Sequence, residues 1–229
     1  MSMYVFNPCM HPGCKKQAVS TFDSCGNILE GKSYCLEHHP DALTLREQLK
    51  HYIETHDTIV GLNAQGMVAD GLDFSGKKFI GCNFQNTQLS NIHAENIVVR
   101  MCVHDFSTFT DCYFNNSNIQ FSSYAGCRFG HVLFTGSDLI HNNYNGIMAY
   151  QCSFDDSDLY NTRFIKAILM NASMKNCNLK KTVFYESNRD SMSFKMSNTR
   201  DALTDRTRGG LMGDFAEKFD YDDNGQAPL

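Results

Sequence analysis

The chain has 229 residues, a length that admits one ordinary domain and a small second one. With 42% hydrophobic and 20% charged residues and a formal net charge of −5, the composition is that of a soluble globular protein, and no apolar run approaches the ~18 residues of a membrane span. Met1 to Met10 has neither the basic start nor the apolar core of a secretory signal, so the ten cysteines are expected in a reducing, cytoplasmic compartment, as metal ligands or small core residues rather than disulfides.

Residues 1–40 form the first unit. Cys9-x4-Cys14 brackets His11, Pro12 and Gly13, Cys25 sits in a Ser-Cys-Gly-Asn turn, and Cys35-x2-His38 follows Tyr34, with His39 adjacent. The stretches Gln17–Asp23 and Ile28–Tyr34 flank the turn and read as a hairpin. The Cys35 and His38 pair is expected to open a helix near Asp41–His56, the connection 41–57, with Leu45, Leu49, Tyr52 and Ile53 on one face. Knuckle, hairpin and ligand-bearing helix start together resemble a treble-clef-like zinc finger over about 30 residues. Tetrahedral zinc takes four soft or borderline donors, which Cys9, Cys14, Cys35 and His38 supply; Cys25, His39 and His11 are alternatives for one place. A neighbouring general base and an open coordination position are both missing from the pattern, so the zinc is expected to be structural, in a module whose core is separate from that of the rest of the chain.

From Phe74 to Phe194 every fifth residue is large and apolar at 21 of 25 positions, the departures being Ala94, His104, Ala149 and Arg189. Two residues earlier runs a series of small side chains, Cys82, Thr87, Cys102, Ser107, Cys112, Ser117 and onward, which holds all six cysteines after Cys35. A period of five fits neither a helix nor a continuous strand. It fits a coil that turns a corner every five residues, with one large and one small side chain inward on each of four sides, so that residues 20 apart stack: Phe114 on Phe134 on Phe154. Core packing then accounts for the six cysteines, and His104 is expected to be a hydrogen-bonded core histidine or a local distortion.

This pattern resembles the pentapeptide-repeat family, whose motif centres on a Leu or Phe preceded two places earlier by a small residue. The resemblance covers about residues 70–199 and implies an all-β solenoid, a right-handed quadrilateral β-helix with 20 residues per coil. Roughly six coils at the ~4.8 Å strand spacing give a rod about 30 Å long. The family includes protectors of type II topoisomerases that mimic DNA, alongside many members of unknown role, so the fold leaves the function open.

The β-helix is assigned to 58–199, its residues 57–71 being read as an imperfect first coil or cap. In the segment 200–229, Leu211, Met212, Phe215 and Phe219 fall on one face of a short C-terminal helix, either a cap on the last coil or a homodimer contact, before an acidic tail. No phosphate loop, dinucleotide fingerprint or Gly-x-Ser-x-Gly elbow occurs, so the chain is read as non-enzymatic. Residues 70–159 carry nine acids and four bases, 160–200 two acids and eight bases, and 201 onward seven acids and three bases. A DNA mimic needs a dense surface of one sign, which this distribution lacks. The expected function is therefore a macromolecular scaffold for a protein partner. The alternatives are topoisomerase modulation by DNA mimicry, or nucleic-acid binding by the basic last coils. Ile140 and Tyr160 on one side, with Met101 and Phe121 along the adjoining corner, form the candidate partner surface.

Overall fold

Five residues make one side of a coil because the fifth turns the chain into the left-handed region. In the computed structural model, which describes residues 7–29, 31–189 and 191–205, Asn86, Asn91, Asn96, Asn116, Asn161, Asn171 and Asn176 all have φ between 52° and 57°. Asparagine tolerates that conformation better than other residues with a Cβ, which explains its surplus two places after the large inward residue. Tight turns close many of the corners, as where the Met67 N–H donates to the Ala64 carbonyl at 3.0 Å.

The N-terminal hairpin is β1 (Thr21–Phe22) and β2 (Ile28–Leu29), antiparallel, and it leads to α1 (Ala42–Thr55). The coils contain β3 (Thr58–Val60), β4 (Val68–Asp70), β5 (Lys78–Ile80), β6 (Gln88–Ser90), β7 (Val98–Arg100) and β8 (Thr108–Thr110). They continue with β9 (Asn118–Gln120), β10 (Arg128–Gly130), β11 (Met148–Tyr150) and β12 (Ile168–Met170). All pairings between coils are parallel with a shift of 20 residues. β3, β5, β7 and β9 line the first side, and β4, β6, β8, β10, β11 and β12 the third. Single bridges complete the second side (Asn63 to Asn83, on to Val183 and Leu203) and the fourth (Asp73 to His93, on to Ser193). Thr58 to Ser197 at 20 residues per coil makes seven coils, about 34 Å of rod at ~4.8 Å each. Of the two readings of residues 57–71, the structure has the first coil rather than a cap: Ile59, Leu62, Ala64, Met67 and Ala69 are buried inward.

The interior is a set of stacked columns. Phe114, Phe134 and Phe154 stack at 5.2 and 5.1 Å. A second column runs Phe84, His104, Tyr124, Tyr144, Phe164, Phe184 at 4.6–5.4 Å. The small inward series does more than save space. Ser107 Oγ accepts from the Thr87 N–H at 3.0 Å and donates to the Phe84 carbonyl at 2.8 Å, and Ser137 repeats this with Ser117 and Phe114. Each such residue satisfies backbone groups that the corner removes from the ladder. His104 is neither hydrogen-bonded nor a distortion. Both its ring nitrogens are buried without a partner, its ring lies between Phe84 and Tyr124, and burial holds its pKa down at about 3.

The end of the rod before Thr58 is closed by α1, which buries Leu45, Leu49 and Ile53 while Tyr52 packs on Phe22 at 5.1 Å. Its N-cap Asp41 accepts from the Thr44 N–H at 3.1 Å. Lys77 Nζ ties the other end down by donating to the Glu54 and His56 carbonyls at 2.9 and 3.1 Å. The expected separate core for the N-terminal unit is not found. Val19 and Leu36 belong to one hydrophobic cluster with α1 and the coils. Asn63 Nδ2 donates to the Ala18 carbonyl at 2.8 Å, so the hairpin sits on the second side almost as a further coil. The segment read as a C-terminal helix lies outside the described residues.

Candidate functional site

Two features emerge, a cluster of metal-ligand side chains and an exposed apolar column. The structure brings together Cys9, Cys14, Cys35 and His38, with all four ligand atoms within 4.8 Å of one another. Cys14 Sγ lies 4.0 Å from Cys35 Sγ, and His38 Nδ1 lies 3.3 Å from Cys35 Sγ and 3.7 Å from Cys9 Sγ. Those separations are close to the edges of a tetrahedron with ~2.3 Å metal–sulfur and ~2.0 Å metal–nitrogen bonds. Local turns make the set. The Cys14 N–H donates to the His11 carbonyl at 3.1 Å, and the His38 N–H to the Cys35 carbonyl at 3.1 Å. The second turn precedes α1 rather than opening it: His39, Pro40 and Asp41 stand between His38 and the first helical residue, so the expected ligand-bearing helix start is a ligand-bearing turn.

Backbone donors surround the sulfurs. Cys9 Sγ accepts from the Cys35 N–H at 3.3 Å and the His11 N–H at 3.5 Å, and Cys14 Sγ from the Lys16 N–H at 3.5 Å. Burial alone would raise the Cys9 thiol, but these N–H groups together with His38 and Cys35 draw it down to about 6. Cys35 is pushed up, chiefly by burial. The alternative donors serve elsewhere. His11 stacks on His38 at 3.8 Å, His39 Nδ1 accepts from the Asp41 N–H, and Cys25 is exposed in the hairpin turn, where its N–H donates to Asp23.

The apolar column lies where the five-residue phase puts it. Met101 and Phe121 occupy successive corners between the first and second sides, at φ 53° each, and are 41% and 56% exposed. Phe121 stacks on His141 at 4.9 Å, which meets Tyr160 edge-on at 5.7 Å; Lys181 Nζ stands 5.5 Å over the Tyr160 ring. Ile140 and Tyr160 are half-buried on the first side. Sequence reasoning missed a second apolar set on the third side, Met148, Tyr150, Ile168 and Met170. Its signal was available in the outward pairs Met-x-Tyr and Ile-x-Met recurring at a spacing of 20.

Fold and site define a four-sided parallel β-helix whose N-terminal end carries a Cys3His cluster able to hold a metal ion. A family model described as pentapeptide repeats matches residues 150–188 in eight copies. The matched residues lie within the coils described above, so this part of the β-helix is built of pentapeptide repeats. No curated protein matches it significantly. Among solved structures, a trypsin-treated form of QnrB1, a plasmid-mediated fluoroquinolone resistance protein, is 16% identical over 75% of this chain and 91% of its own, with a TM-score of 0.40. HetL, involved in heterocyst differentiation regulation in the cyanobacterium Nostoc sp. strain PCC 7120, is 12% identical over 70% of this chain and 94% of its own, TM-score 0.21. A pentapeptide repeat protein of the cyanobacterium Cyanothece 51142 is 14% identical over 41% of this chain, TM-score 0.35, and this chain spans 60% of its length. No helix among the described residues is long and apolar enough to cross a membrane.

Proposed function

We propose that the chain is a non-enzymatic interaction scaffold that binds a protein partner along the β-helix, with one structural zinc in its N-terminal module. The observation that carries the reading is the exposed column at the corner after the first side. Met101 and Phe121 sit in a left-handed conformation that costs a bulky residue about 1–2 kcal/mol, and neither contributes to the inward columns. Such a column, flanked by Ile140 and Tyr160, is suited to desolvation by a partner. The bases of the last coils are spread around the rod: Arg163 on the second side, Lys175 and Lys195 on the fourth, Lys180 and Arg200 on the first. That arrangement offers nucleic acid no single basic stripe.

Zinc suits three thiolates and one imidazole, and a closed four-protein-ligand set leaves no place for a reacting molecule. Its work would be to pin the Cys9–Cys14 and Cys35–His38 turns together, and through Val19 and Leu36 to seal the first coil. Affinity capture from the native source tests the proposal, with the intact chain compared against Phe121→Ser/Ile140→Ser/Tyr160→Ser. The expected result is a protein retained by the first and lost by the second, with little change in thermal stability. Equal retention by both would place the contact elsewhere.

A further inference from the structure

The third side of the rod begins with an open strand edge. β4 is the last strand of its sheet and pairs only with β6. The Gln88 N–H donates to the Met67 carbonyl at 2.9 Å and the Gly71 N–H to the Ser90 carbonyl at 3.0 Å, so Met67, Ala69 and Gly71 direct their backbone groups toward β6. Strand alternation turns the N–H and carbonyl groups of Val68 and Asp70 the other way, toward the N-terminal end, where no described residue pairs with them. On the second side the hairpin takes the corresponding place. There the Ser20 N–H donates to the Asn63 carbonyl at 2.8 Å, and Ser20 Oγ accepts from the Asn63 N–H at 2.9 Å. The third side has no such cover among the described residues.

The side chains beside this edge indicate what meets it. A cleft of about 410 Å³ is lined by Val68 together with Leu36 and Glu37 of the metal-site turn, Arg46 of α1 and Gln65. Two of its polar atoms, Arg46 Nε and Gln65 Oε1, are buried without a hydrogen-bond partner. Arg46 forms no ion pair among the described residues, whereas Lys16, on the same cleft, is paired with Glu37. A guanidinium nitrogen needs an acceptor, and its charge favours a carboxylate. The Gln65 oxygen needs a donor, which a peptide N–H supplies. A lone anion would satisfy Arg46 and leave the Gln65 oxygen and the edge groups of Val68 and Asp70 unpaired. An extended peptide satisfies all of them, because its backbone alternates donors and acceptors at the spacing of a strand. Charge also sets its orientation: Asp70 stands at the far end of β4, so the peptide's carboxylate belongs at the Val68 end, under Arg46.

We propose that the β4 edge and this cleft bind an extended acidic peptide segment by strand addition, its backbone pairing with Val68 and Asp70 and its carboxylate meeting Arg46. The site lies on a different side and a different coil from the Met101 and Phe121 corner, so the two proposals stand or fall separately. Amide resonances of the isotope-labelled, metal-loaded full chain report on it, with acetyl-Thr-Val-Thr-Val-Glu-amide as the probe. The probe is expected to shift the Val68 and Asp70 amides saturably at about 1 mM or below and to slow their hydrogen exchange. Its counterpart ending in Gln should bind about tenfold more weakly, and Arg46→Gln should erase the difference between the two probes. Methylating alternate backbone nitrogens of the probe should abolish binding to the unaltered chain. Val68→Pro removes an edge N–H that the ladder with β6 does not use, so it should block the probe while the amides from Phe129 to Leu179 keep their positions. Val68 and Asp70 amides left unshifted by the Glu probe at about 1 mM would overturn the proposal. So would equal binding of the methylated probe, or the same shifts produced by acetate alone, which would reduce the site to an anion pocket at Arg46.

Discussion

His104 puts an unpartnered polar ring into the core, and replacing it yields a quantitative test. Its imidazole fills a large inward position, sandwiched at 5.2 Å by Phe84 and 4.6 Å by Tyr124, with neither nitrogen hydrogen-bonded. His104→Phe keeps the stack and removes two buried polar atoms, each of which costs about 1–3 kcal/mol when unsatisfied. Allowing for imperfect fit of the larger ring, the variant should be more stable at pH 7 by about 1–3 kcal/mol. That is several degrees in melting temperature at ~2–4 °C per kcal/mol. The pH dependence arises from burial, which lowers the histidine from 6.5 to about 3 in the folded chain. Between those values the unfolded chain binds a proton that the folded chain does not, so stability falls as pH falls through this window. The slope is about 1.4 kcal/mol per pH unit, hence roughly 2 kcal/mol lost from pH 6.5 to pH 5. His104→Phe abolishes that component, so its advantage over the parent should widen by the same amount. Urea unfolding followed by far-UV circular dichroism from pH 7.5 to 4.5 measures both effects. A variant less stable at pH 7, or an advantage that stays constant toward pH 5, would refute the assignment of a neutral, unpartnered imidazole.

Ser137→Ala should cost about 1–3 kcal/mol in the same assay, because it strands the Phe114 carbonyl and the Ser117 N–H, while Ser137→Val should be no better despite its added apolar surface. Burial pushes Cys127 and Cys177 up to about 12 and Cys152 to about 11, so in the native, metal-loaded chain at pH 8 a bulky disulfide reagent should label Cys25 rapidly and the six coil cysteines only after denaturation. Elemental analysis should find about one zinc per chain. Chelation should remove hydrogen-exchange protection from 9–39 and also from the first coil at Thr58–Asp70, while Phe129 to Leu179 stay protected, since the N-terminal unit joins the common core at its first coils, through Val19, Leu36 and α1.

How much was legible in the residues depends on how each feature is encoded. The coil repeats a local rule, so every inward Phe and every stacked pair such as Cys82 and Cys102 could be placed from the spacing alone; the Cys82 N–H does lie 3.3 Å from Cys102 Sγ. The gathering of Cys9, Cys14, Cys35 and His38 was also legible, because soft donors at short spacing suit a single metal ion. The first coil was legible only as an imperfect coil or a cap, because Gly61, Gly66 and Gly71 replace the asparagines of later corners and Leu62 and Ala64 exchange the large and small places. The shared core was illegible because it depends on how the hairpin docks, through Gln17, Ala18 and Asn63, and no periodicity records that. The hydrogen-bonding role of the small inward residues was concealed by their volume, which by itself explained their presence. The third-side patch went unseen for a different reason: attention to inward positions leaves outward ones unread, although their pairing at 20 residues is as regular.

The proposed protein partner lies along the side of the rod, over the corner of Met101 and Phe121. Hydrogen exchange of the complex with the captured partner tests it most directly. The account predicts added protection in 100–102, 120–122 and 140–142 and along the first side to Tyr160, with the fourth side unchanged. Protection confined to the last coils beyond residue 180, or spread over the fourth side with none at Phe121, would contradict it.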